Sequence, residues 1–143
     1  MKTHKEGGFS YAYVALVLAF VILPLSVAAA DLVRVAWARG ELQKAADAAA
    51  EAGAQMADVY AWKHSSVVQL LPDAPSVATQ VAQANSAYLF AKQIYPQLDF
   101  IVVDETANTV RVGLSATVQR SLLYGSQLRI SAEGTSELRL NRN

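Results

Sequence analysis

Hydrophobic and polar positions follow three patterns in turn along the chain. From Tyr11 to Ala30 the sequence reads YAYVALVLAFVILPLSVAAA, apolar on every side, and no Asp, Glu, Lys or Arg stands between Glu6 and Asp31. Twenty helical residues at about 1.5 Å each cover roughly 30 Å, the thickness of a bilayer's hydrocarbon core. The stretch predicts a transmembrane helix over 9–30. Tyr11 and Tyr13 mark its interfacial edge and Phe20 lies within it, while Pro24 removes one helical hydrogen bond and predicts a kink.

Beyond Asp31 the period becomes helical. Leu32, Val35, Leu42, Ala46, Ala49, Met56 and Tyr60 recur at three- and four-residue steps and predict one stripe on a helix running to about Trp62. The stripe is rich in alanine, with eight Ala among the thirteen residues from Ala45 to Ala57. Small residues gain little per contact but let backbones approach closely. Leu42, Ala46, Ala49, Gly53 and Met56 therefore suit tight packing, either on the chain's own domain or between subunits. On the second reading the helix over 31–62 projects from the membrane, and Ala49→Leu disturbs assembly more than folding. Gly40 and Gly53, poor helix formers, are expected bends or close contacts.

Pro72, Asp73 and Pro75 predict a loop, and a second helix is expected from about Ser76 to Tyr95, with Val77, Val81, Ala84, Tyr88, Ala91 and Ile94 on its apolar side and Pro96 as its stop. From Phe100 the period falls to two. FIVVDE predicts a strand, TANT a turn, and the next strand turns Val110, Val112, Leu114, Ala116 and Val118 inward. A third strand over 127–140 turns Leu128, Ile130, Ala132, Leu138 and Leu140 inward, with Gly134 expected at a bulge or bend. The fold class is α+β: a long amino-terminal helix, then a head over 63–143 in which a second helix packs on a three-stranded antiparallel sheet with one wet face.

Composition narrows the function. At 143 residues and 53% apolar, with a mean hydropathy of +0.22, the chain has room for one domain and a greasy appendage. Twelve basic and twelve acidic residues cancel, so no overall field gathers nucleic acid. The absence of cysteine removes disulfides, thiol nucleophiles and Cys-ligated metals. His4 and His64 have no partner at metal-ligand spacing. Asp104 and Glu105 are adjacent at a strand end and so point to opposite faces. No Gly-rich phosphate loop follows a strand, and the serines lack a plausible base. The arginines of the sheet share their side with Glu133 and Glu137, as on a mixed solvated face. The expectation is a protein that is not an enzyme, with no cofactor, no metal, no small-molecule substrate and no nucleic acid partner.

The run GGFSYAYVALVLAFVILPLSVAAADLVRVAWARGELQKAADAAAEAGA resembles the amino-terminal region of the TadE/TadG-like proteins of tight-adherence (Flp-type) pilus systems. The likeness is sharpest at Leu42-Gln43-Lys44-Ala45-Ala46-Asp47-Ala48-Ala49-Ala50 with Ala52-Gly53-Ala54, which is similar to that family's run after its membrane helix. It covers about the first 54 residues. The resemblance implies a pseudopilin-like or minor-pilin-like subunit that associates with copies of itself or with other pilins. Family members with a prepilin leader are cut after a glycine and carry glutamate at the fifth mature position. Here Gly8-Phe9 is the matching bond, and the fifth position is Tyr13.

Lys2 and Lys5 against Glu6 give residues 1–30 a net charge of +1, and the remainder carries −1. This bias predicts the leader over 1–8 in the cytoplasm, a single span in the inner membrane and an extracytoplasmic head, with incorporation into an extracellular pilus as a further step. Two alternatives stay open: a membrane-tethered binding domain serving another envelope complex, and a secreted protein whose signal peptide, ending in Ala28-Ala29-Ala30, is cut before Asp31.

Overall fold

The computed structural model describes residues 7–120 and 126–138, with side chains from Tyr11 onward. The charged leader up to Glu6, the loop over 121–125 and the strand positions Arg139 and Leu140 lie outside the described residues. The elements are α1 (Gly7–Gln55), α2 (Val59–Ser65), α3 (Ala74–Ala84), α4 (Ala87–Ala91), β1 (Gln97–Asp104), β2 (Thr109–Gln119) and β3 (Gln127–Glu137). The α+β architecture expected from the periods is present: a long amino-terminal helix and a three-stranded antiparallel meander in the order β1-β2-β3, with helices on one face.

α1 runs through Pro24 and on to Gln55 as one helix, but its two halves live differently. From Tyr11 to Leu25 every side chain is exposed, Phe20 at 75% and Leu23 at 64%, and exposure of large apolar groups persists to Leu32 and Val33, both 69%. The second half is enclosed: Ala38, Leu42, Ala45, Ala46, Ala49 and Ala50 are fully buried against β2, β3 and α3. The residues from 38 onward therefore form the central helix of the head, and the expected projecting rod over 31–62 is corrected. Alanine makes this possible. Gly134 of β3 lies so close to α1 that a Cβ there would fall inside the Ala46 carbonyl and 2.6 Å from the Asp47 amide nitrogen. Gln43 reinforces the crossing by donating from Nε2 to the Glu133 carbonyl at 2.7 Å.

The β2–β3 register passes without interruption through the Val112–Gly134 pair, so the expected bulge at Gly134 is corrected to a site of helix–strand contact. The irregularity falls instead in β1, between Leu98 and Phe100. Val110, Val112, Leu114, Ala116, Val118, Ile130 and Ala132 face α1 and are buried, as their period of two predicts. On the opposite face the Phe100 ring covers Gly113, and Asp99 of β1, Ser115 of β2 and Arg129 of β3 form one hydrogen-bonded rung.

Two helix boundaries differ from the expectations. α1 stops at Gln55, where the backbone N–H of Met56 bonds the Gly53 carbonyl, and α2 starts afresh under an N-cap: Asp58 Oδ1 accepts from the Tyr60 and Ala61 amides. The second helix divides at Asn85-Ser86. Its buried side is Ala74, Ala78, Ala82, Ser86 and Leu89; of the expected Val77, Val81, Ala84, Tyr88, Ala91 and Ile94, Ile94 is buried and the others are half-buried or exposed. The smaller residues turn inward because α3 packs directly on the alanine face of α1.

Candidate functional site

The structure brings the sequence-predicted site residues into four separate places. Gly8 and Phe9 stand in the first turn of α1. Tyr11, Tyr13, Phe20 and Pro24 belong to the exposed half of the same helix, clear of the head among the described residues. Leu42, Ala46 and Ala49 are sealed under the chain's own sheet. Gly53 is also inside, and a Cβ there would come within 2.9 Å of Ile101 Cδ1. Met56 lies past the end of α1, its carbonyl accepting from the Leu71 amide. Of the two packing modes open to the alanine stripe, the structure uses the intramolecular one. Ala49→Leu is thus a test of head packing rather than of subunit contact.

A long helix that is apolar on every side exposes more contiguous apolar surface than proteins in water usually carry. The surface from Tyr11 to Val33 is about 34 Å long at helical rise, and it carries large side chains all round. Hydrocarbon satisfies such a surface without specific partners, and the helix bonds its own backbone, the condition for crossing a bilayer. Ser26 returns its hydroxyl to the Ile22 carbonyl at 2.8 Å, so its polar atom is also met within the helix. The helix has the length and composition to cross a membrane.

Just above this surface, the beginning of the head forms an open cleft of about 620 Å³ between α1 and the α4 region, lined by Ala30, Val33, Arg34, Trp37, Tyr88, Lys92 and Ile94. The Trp37 and Tyr88 rings meet at 4.0 Å between centroids with a 56° tilt, and Lys92 Nζ stands 5.9 Å from the Tyr88 centroid. Asp31, at the junction, is only 5% exposed. Trp37 and Lys92 carry no expectation from the sequence, and Tyr88 enters there only as one position of a helical stripe. The signal in the sequence is an aromatic and a cation within two turns of the end of the apolar run.

The groups with nominal chemistry are occupied structurally. Asp104 Oδ1 accepts from the amides of Thr106 and Ala107 and shapes the β1–β2 turn, leaving Glu105 in the turn itself. His64 lies 3.0 Å by Nδ1 from the Tyr60 carbonyl and stacks on the Tyr60 ring. Arg111 bonds Glu133 across the outer sheet face. That hydrogen bond, with the attraction of the charges, holds the Glu133 carboxyl below its ordinary value and raises the Arg111 guanidinium above its own. Among the described residues no three His, Asp or Glu side chains gather as metal ligands. The comparisons with known proteins leave the chain to its own geometry: no family model, no curated protein and no solved structure matches it.

Proposed function

We propose that the protein is a membrane-anchored structural subunit of a tight-adherence-like pilus, acting as a pseudopilin, minor pilin or filament subunit and performing no catalysis. The observation that carries this reading is the division of α1 into an exposed apolar half and a half locked into a small α+β head. A subunit that waits in a bilayer and then joins a helical assembly needs this combination: a greasy rod that either lipid or neighbouring rods can surround, and a rigid head that keeps its fold in both settings. The resemblance of residues 7–54 to TadE/TadG-like sequences points the same way. Because the alanine face is filled by the chain's own sheet, contacts between subunits fall to the exposed half of α1 and to the outer surface of the head.

On this account Lys2 and Lys5 keep the amino terminus in the cytoplasm and the head lies outside. Deletion of the gene followed by imaging of the cells tests the function. Lost or shortened surface filaments are expected; filaments of normal number and length contradict the reading. Amino-terminal sequencing of the native protein distinguishes the routes to it. A start at Met1 corresponds to a retained anchor and one at Phe9 to prepilin processing, whereas a start at Asp31 overturns the anchored reading in favour of secretion.

A further inference from the structure

The cleft beside the end of the apolar helix combines features that a solvated crevice has no need for. Val33 is the last large, strongly exposed apolar residue of α1, Arg34 follows it immediately, and Trp37 lies one turn on, about 6 Å further along the axis. The headgroup layer adds roughly 5–8 Å to each side of the hydrocarbon core. A bilayer fitted to the exposed half of α1 therefore places Arg34, Trp37 and the facing Tyr88 in that layer. Tyr95, 61% exposed in the chain segment after α4, stands 5.7 Å from the Phe90 ring of α4 and adds a second aromatic pair.

Charge points in the same direction. Residues 74–98, which supply α3, α4 and the other wall of the cleft, contain one cation, Lys92, and no Asp or Glu. Arg34 and Lys92 are exposed and form no ion pair among the described residues. Asp31, the acid nearest on α1, is buried. Two open cations flanking a Trp–Tyr pair, at the depth where hydrocarbon gives way to headgroups, match the chemistry of an anionic phosphodiester with apolar chains beneath it.

We propose that the cleft formed by Arg34, Trp37, Tyr88 and Lys92 docks the phosphate headgroup of an anionic phospholipid, so that the head lies against the membrane surface on its α4 side. The inference rests on the reading of the exposed half of α1 as a membrane span, and it adds a fixed orientation of the head to that reading. Each cation near an anionic surface contributes about 1 kcal/mol, about fivefold in docking. Losing both is expected to shift the docked fraction roughly 30-fold.

The experiment uses the full chain in vesicles of phosphatidylcholine alone or mixed equally with phosphatidylglycerol. Trp37 and Trp62 are the two tryptophans of the chain, so Trp62→Phe leaves Trp37 as the sole reporter. Its emission is expected to shift to the blue, and quenching by headgroup-labelled lipid to rise, when phosphatidylglycerol is present. Arg34→Gln combined with Lys92→Gln is expected to return both signals to the phosphatidylcholine level. Equal signals in both vesicles, or signals unchanged in the double variant, overturn the proposal. A second reporter, Phe20→Trp in a chain lacking the native tryptophans, reads the span through lipids brominated deep in their chains. Deep quenching at position 20 without lipid-dependent signals at Trp37 overturns the docking alone; no quenching at position 20 overturns the span and the docking together.

Discussion

The two halves of α1 are equally committed to helix and both avoid polar residues on the side that matters, yet one is bare and the other buried. The difference lies in side-chain size. Tyr11–Val33 carries Val, Leu, Ile and Phe in all directions, whereas the buried half presents Ala38, Ala45, Ala46, Ala49 and Ala50 around a single Leu42. Large groups serve where the surroundings are fluid and unspecific, because transfer free energy grows with apolar area. Small groups serve where one particular backbone must come close, and at Gly134 the helix meets the strand with no side chain between them. Period alone finds a helix in both halves; volume tells which half faces a protein.

The contrast can be broken most severely at that crossing. Gly134→Ala puts a methyl group into the backbone of α1, which has no flexible end to give way. The expected loss is about 3 kcal/mol or more, read by denaturant unfolding of the protein in micelles. Ala49→Leu overfills a fully enclosed position, and the same measurement should show a loss of about 1–3 kcal/mol. A head of unchanged stability with failed subunit assembly would return Ala49 to an intermolecular face. Gly40 is the opposite case. A Cβ there meets nothing within 4 Å, so Gly40→Ala should raise stability by about 1 kcal/mol through helix propensity.

A smaller effect concerns pH. The Glu133 carboxyl is lowered from its ordinary value of 4.5, chiefly by the hydrogen bond from Arg111, so its contribution is present above that value and is lost as pH falls through the lower folded one. Arg111→Met should bring the Glu133 titration, followed by carboxyl NMR, back to the ordinary range. The smallest effect belongs to the bare half: Leu18→Ala, 51% exposed and far from the core, should leave the unfolding of the head within about 0.5 kcal/mol. A larger loss there would mean that the exposed half supports the head after all.

Much of this was legible in the sequence. The alternation Val110 to Val118 gave the inner face of β2, and the uninterrupted apolar run gave the candidate span, because each depends on a local period. The use of the alanine face was not legible, since small residues suit a neighbouring subunit and an adjoining strand equally. Gly134 looked like a bulge for a related reason: its cause is Ala46, 88 positions earlier in the sequence. The end of α1 at Gln55 was concealed by the absence of Gly or Pro after Gly53, although Asp58, a good N-cap residue, signalled a new helix. Hydrophobicity favours Val77 and Val81 as the inward side of α3, whereas contact with α1 selects the smaller Ala74, Ala78 and Ala82.

The division of α1 can be tested directly because the chain has no native cysteine. Single cysteines at Val17, Ile22 and Asp47 of the full-length protein in intact vesicles would be exposed to a membrane-impermeant maleimide applied on the side of the head. The account predicts that Asp47→Cys reacts at once, while Val17→Cys and Ile22→Cys react only after the bilayer is dissolved in detergent. Equal labelling of all three with the bilayer intact would contradict it.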